Sequence, residues 1–100
     1  MRHSIKTVVQ TESARKYLQQ LCKHFAHKVP ANWTEEAGSV TFPYGDCTMQ
    51  ATESELVIQC ETGEPGNIAL LKDVIESHLQ KFAWRETPQL IWQEHQAAAS

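Results

Sequence analysis

Between Thr11 and Val29, apolar residues fall at Ala14, Tyr17, Leu18, Leu21, Cys22 and Phe25, the i, i+3, i+4, i+7 spacing that lines one face of a helix. Lys16, Gln19, Gln20, Lys23 and His27 take the opposite side. Thr11 suits an N-cap, Glu12 sits in the first turn where the helix dipole favours an acid, and Pro30 closes the segment by disfavouring a helical Val29. A helix with one apolar face must bury that face against a second layer. This requirement constrains the rest of the chain more than any other feature.

The same periodicity predicts a second helix from about Asn67 to Trp84, with an apolar stripe at Ile68, Leu71, Val74, Ile75, Leu79 and Phe82. The breaker run Thr62-Gly63-Glu64-Pro65-Gly66 precedes it. Between the helices the pattern changes to alternation: Val40 and Phe42; Cys47, Met49 and Ala51; Leu56, Ile58 and Cys60. Turns at Glu35-Glu36-Ala37-Gly38, Phe42-Pro43-Tyr44-Gly45 and Thr52-Glu53-Ser54 separate these antiparallel strands, and Asn32 to Thr34 adds a short first one. Flanking strands are expected at Thr7 to Gln10 and Gln89 to Gln93. The expected fold is therefore α+β, a two-layer sandwich of an antiparallel sheet (meander plus flanking strands) with both helices on one face. Its order is β-α-β-β-β-β-α-β.

One hundred residues, 41% of them hydrophobic and 21% charged, supply a single core and exclude disordered and collagen-like classes. One domain is expected over 1–95, with a tail at 96–100 that frays. The longest apolar run, Ile68 to Leu71, is far too short to span a bilayer, and Met1 to Gln10 has no signal-like stretch, so the expected location is cytoplasmic, without membrane association. Three scattered cysteines, Cys22, Cys47 and Cys60, argue against a disulfide framework and for reduced thiols. The tryptophans Trp33, Trp84 and Trp92 are most simply core and core-edge packing.

The charges are polarised. Arg2 to Lys28 carries six Lys or Arg against one Glu, whereas Val29 to Leu71 carries seven acids and no Lys or Arg. A net charge of -3 excludes a general nucleic-acid binder. Solvated faces account for such a distribution, and it also suits an anionic ligand or a homodimer in which the acidic meander meets the basic helix.

The segment Leu21-Cys22-Lys23-His24-Phe25-Ala26-His27-Lys28 crowds a thiol, two imidazoles and two ammonium groups into two helical turns. His24 and His27 stand about 60° apart around the helix and are the metal candidates; Cys22 lies about 160° from His24 and cannot readily share an ion with it. No C-x-x-C or H-E-x-x-H supplies further ligands, and no glycine-rich phosphate loop is present, so no cofactor is expected. His78 falls inside the apolar stripe of the second helix, either as a core histidine satisfied by a carbonyl or as the wall of a pocket. Arg85 follows seven residues later on nearly the same face. With Lys23, His24, His27 and Lys28, the pair His78 and Arg85 would make a cationic cleft between the helices. A Cys47–His78 nucleophile pair is sterically conceivable, though no elbow glycine pattern announces one.

The run from Leu21 to Pro30, followed by Gly38, Phe42-Pro43-Tyr44-Gly45, Cys47 and His78-Leu79-Gln80-Lys81-Phe82-Ala83-Trp84-Arg85-Glu86, resembles a bacterial family, the domain of unknown function 2218, from about Thr7 to about Glu94. Trp84 stands where a phenylalanine is usual. The resemblance implies no activity. Some members of that family accompany or are fused to flavin-dependent siderophore-interacting proteins, so the resemblance implies a link to iron acquisition and such a flavoprotein as a partner. The expected function is a small binding module for an anionic ligand, a ferric siderophore or another iron-linked metabolite being one class. Lys23, His24, His27, Lys28, His78 and Arg85 are the candidate ligand-binding residues. The alternatives are a small enzyme using Cys47 or His78, and a protein-interaction domain.

Overall fold

A computed structural model describes residues 3–86 and 90–96. The elements follow the chain as β1 (His3–Gln10), α1 (Ala14–Phe25), β2 (Ala31–Trp33), β3 (Ala37–Phe42), β4 (Gly45–Ala51), β5 (Glu55–Thr62), a 3-10 turn (Pro65–Asn67), α2 (Ile68–Phe82) and β6 (Gln93–Gln96). All strands join one antiparallel sheet in the order β2-β3-β4-β5-β1-β6. This is the expected α+β order. The expected tail contributes Gln96 to β6, and residues 97–100 lie outside the described residues.

Every residue of the α1 stripe is buried, as are the alternating residues of β3, β4 and β5. The opposite sheet face carries exposed polar residues such as Lys6, Thr41, Thr48 and Gln59, so the period-2 pattern reports one covered face and one open one. Leu71, Ile75 and Leu79 of α2 complete the core.

Several local details differ from expectation. Helix α1 begins at Ala14, with Ser13 and not Thr11 at its N-cap position; the Thr11 hydroxyl accepts from the Ser13 N–H and donates to the Glu86 carboxylate. Gln89, where the last strand was expected to start, lies outside the described residues, and the strand starts at Gln93, after Leu90 to Trp92. Just before it, the Ile91 carbonyl accepts from buried Thr7 Oγ1 at 2.9 Å and Trp92 Nε1 donates to Glu76 at 2.6 Å, so side chains hold this stretch before ladder pairing begins. Trp33 and Trp84 are exposed, 39% and 64%, and only Trp92 packs at the core edge as expected.

The cysteines bring the main correction. Cys47 and Cys60 face each other across β4 and β5, both pointing into the core, and form a disulfide. Only Cys22 is the free thiol that the chain was expected to keep at all three positions. Burial alone pushes its pKa up to about 11, so it is an inert packing residue. The bonded, buried Cys47 has no thiolate to offer as a nucleophile.

Candidate functional site

The apolar stripe of α1 fixes its rotation, which leaves His24 at the stripe's margin beside buried Phe25. In α2, His78 stands one turn after Val74 and one turn before Phe82, on the half-buried shoulder of that stripe. The helices touch, and the two imidazoles meet with ring centroids 4.7 Å apart and planes tilted by 46°. Phe25 packs edge-on against His78 at 5.0 Å and against Phe42 at 5.0 Å; Phe42 in turn stacks on Tyr44 at 5.3 Å. The turn between β3 and β4 thus folds its rings over the gap at the ends of the helices.

A cavity of about 240 Å³ remains at this junction. Its walls are Phe25, Val29, Phe42, Pro43, Tyr44 and Val74, and its polar groups are His24, His78 and Lys28. A larger depression of about 710 Å³ opens elsewhere, between the β1–α1 turn and the residues after α2. It is a shallow groove lined almost entirely by polar side chains, and the Glu86 carboxylate there already accepts from the Tyr17 and Thr11 hydroxyls. The smaller cavity is more enclosed and combines apolar walls with a few convergent polar groups, the usual form of a small-molecule site.

The electrostatics of the cavity are one-sided. The His24 pKa is lowered, first by burial and then by His78, Lys81, His27 and Lys28, and each charged group named there is a base. Protonation of His24 is disfavoured by burial first and by these neighbouring bases second, and the field of the bases favours an anion. His78 Nδ1 lies 2.6 Å from the Val74 carbonyl, which can only accept, so Nδ1 is the donor of this contact. His78 therefore combines both readings of the sequence: it is satisfied by a backbone carbonyl and it lines a pocket.

Of the sequence candidates, His24, Lys28 and His78 come together. Lys23 lines a separate groove with Lys16 and Trp33, and His27 is exposed outside the cavity walls. Arg85 is absent from this cavity because α2 ends at Phe82, so helical spacing from His78 no longer applies. It lines the Tyr17–Glu86 groove and holds its guanidinium 5.0 Å over the Trp84 ring. The sequence reading missed Phe42, Pro43 and Tyr44 as walls. The available signal was two large rings flanking a proline in a turn, where exposed aromatic surface is costly unless it packs on something.

A family model described as DUF2218, uncharacterized protein conserved in bacteria, matches residues 6–93. The chain is also similar to PA4090 from Pseudomonas aeruginosa, whose NMR structure superposes with a TM-score of 0.75 at 31% identity, covering 93% of this chain and 96% of that one. No curated protein matches the chain. No helix among the described residues is long and apolar enough to cross a membrane. A match over this span, with the same fold in a relative of similar length, places the chain in the bacterial DUF2218 family.

Proposed function

We propose that this chain is a small binding module whose cavity between α1, α2 and the β3–β4 turn takes an anionic ligand built on one aromatic ring. The observation that carries this reading is the placement of His24, His78 and Lys28 around a cavity otherwise walled by rings and aliphatic groups. A dry cavity of about 150 Å³ accommodates benzene, so the 240 Å³ found here has room for a ring with one carboxylate. Phe42 and Tyr44 offer the ring faces, and Lys28 offers a charge-assisted hydrogen bond to the anion. Any role in iron utilisation, alone or with a siderophore-interacting flavoprotein, then runs through a single-ring acid of the kind from which aromatic chelators are built.

Benzoate is the simplest probe, followed by amide shift changes in a ¹⁵N-labelled sample, with uncharged benzyl alcohol as the comparison. Nine heavy atoms at about 0.5 kcal/mol each correspond to a Kd in the submillimolar to millimolar range. The expected result is saturable shifts centred on His24, Tyr44, Val74 and His78, weakened severalfold by Lys28→Ala and by loss of the carboxylate. Shifts scattered over the surface, or binding indifferent to both changes, overturn the reading.

A further inference from the structure

Metal-ligating histidines almost always donate their second ring N–H to a carboxylate or backbone carbonyl, which orients the ring and presents the other nitrogen's lone pair. His78 has the first half of this arrangement, with Nδ1 held by the Val74 carbonyl at 2.6 Å, so Nε2 is the nitrogen that would ligate from a ring that lines the cavity. The second imidazole comes from α1 and not from the next turn of the same helix. His27, the helical neighbour that the sequence paired with His24, lies outside the cavity walls, whereas His78 brings its ring centroid to 4.7 Å from that of His24.

That separation sets the angle the two imidazoles would make at a shared ion lying on both centroid-to-nitrogen axes. With a metal–nitrogen bond of about 2.0–2.1 Å, a metal ion sits about 3.2 Å from the centroid of each ligating imidazole. Two centroids 4.7 Å apart then subtend about 95° at the metal, and a tetrahedral angle is reached by parting the rings about 0.5 Å. Linear two-coordinate ligation, as for Cu(I), would need them about 6.4 Å apart. We propose that His24 and His78 form a two-histidine half-site for a divalent transition-metal ion of borderline softness, zinc being the type.

Among the described residues no group of three or more His, Cys, Asp or Glu is placed to hold a metal, so the protein supplies two ligands and leaves the other positions to water or to an exogenous donor. Imidazole nitrogen suits zinc, nickel and copper over calcium or magnesium. The surrounding Lys28 and Lys81 oppose a bare dication and favour one that carries an anionic co-ligand. The inference rests on the same cavity as the aromatic-acid reading, and coordination by that acid's carboxylate would join the two.

The test omits benzoate, so that it is independent of the aromatic-acid reading, and acetate as the counter-ion supplies the anionic co-ligand that the lysines favour. Zinc is titrated calorimetrically into the full chain, and Co²⁺ serves as a paramagnetic probe whose broadening of amide signals locates the ion. One zinc per chain is expected, with broadening centred on residues 24 and 78. Affinity should fall at least tenfold in His24→Ala and in His78→Ala and stay within twofold in His27→Ala. His78→Asn keeps an N–H for the Val74 carbonyl but lacks an imidazole, so it should fold and still lose zinc. Absence of saturable zinc uptake, uptake that survives these substitutions, or broadening centred elsewhere overturns the half-site. If benzoate binds while zinc does not, only the metal inference falls. Zinc binding with no effect of benzoate, metal present or absent, removes only the aromatic-acid reading.

Discussion

Gly38 is the point where β3 passes closest to α1, and replacing it tests how the candidate site is held. A Cβ at this position would lie 2.6 Å from Cys22 Sγ, with Leu18 Cδ2 and Trp33 Cβ at 3.4 Å. The Leu18 and Trp33 contacts are nearly ordinary, but the sulfur contact is about 1 Å inside van der Waals range. Cys22 is 0% exposed and sits on the buried face of α1, so moving its sulfur aside displaces packed core neighbours. Gly38→Ala must therefore push α1 and β3 apart, at an overpacking cost of about 2–3 kcal/mol. Cys22→Ala alone removes a sulfur about the size of a methylene and leaves a small void, costing about 1–2 kcal/mol. In the double variant the new methyl enters the space the sulfur vacated, so the total should be close to that of Cys22→Ala alone. The coupling energy is then about 2 kcal/mol, measured by urea unfolding of all four proteins with a shared m-value. The same displacement reaches the site, because His24 is two residues beyond Cys22 on α1. Gly38→Ala should shift the amide signals of His24 and His78, and the double variant should restore them. Additivity within about 0.5 kcal/mol, or a neutral Gly38→Ala, refutes the reasoning.

Two further outcomes follow from the cysteines. Alkylation of the unfolded, unreduced protein should label Cys22 alone, and reduction should expose all three thiols. With a sequence separation of 13 between Cys47 and Cys60, reduction should lower stability by about 3 kcal/mol in urea unfolding. Labelling at all three positions without reductant refutes the pairing, and trapping thiols in intact cells would show whether the protein's compartment is oxidising or, as the sequence suggested, a reducing cytoplasm. The second outcome concerns pH. Burial raises the Cys22 pKa from 9.0 to about 11. The unfolded chain therefore releases this proton first, and the contribution to stability is full below pH 9 and lost as pH rises towards 11. Relative to Cys22→Ala, the wild-type protein should lose about 2–3 kcal/mol between pH 9 and 11. A difference that stays flat across that range refutes the assignment.

What could be read from the sequence follows from how far each signal reaches. The α1 stripe and the alternation in β3 to β5 were legible because a single element buries one face, and its own residues record that face. The disulfide was legible in principle. A turn centred between Glu53 and Ser54 lies midway between Cys47 and Cys60, so a hairpin there makes them opposite neighbours, and both belong to the inward-facing set. Counting cysteines without applying that register led to the expectation of free thiols. Arg85 stands apart from His78 for the opposite reason: its expected place beside that ring extended a helical period past Phe82, where α2 stops. The site itself lies between these cases. His78 could be singled out because it interrupts an apolar stripe, and His24 because it stands in a crowded cationic turn. That the two rings meet depends on the separation and rotation of two helices 54 residues apart in their histidines. Those are set by close contacts such as Gly38 against Cys22, which no single-element pattern contains. A lone glycine opposite a small buried residue is thus worth reading as a distance constraint between elements, and at Gly38 that constraint sets the seating of the helix that carries His24.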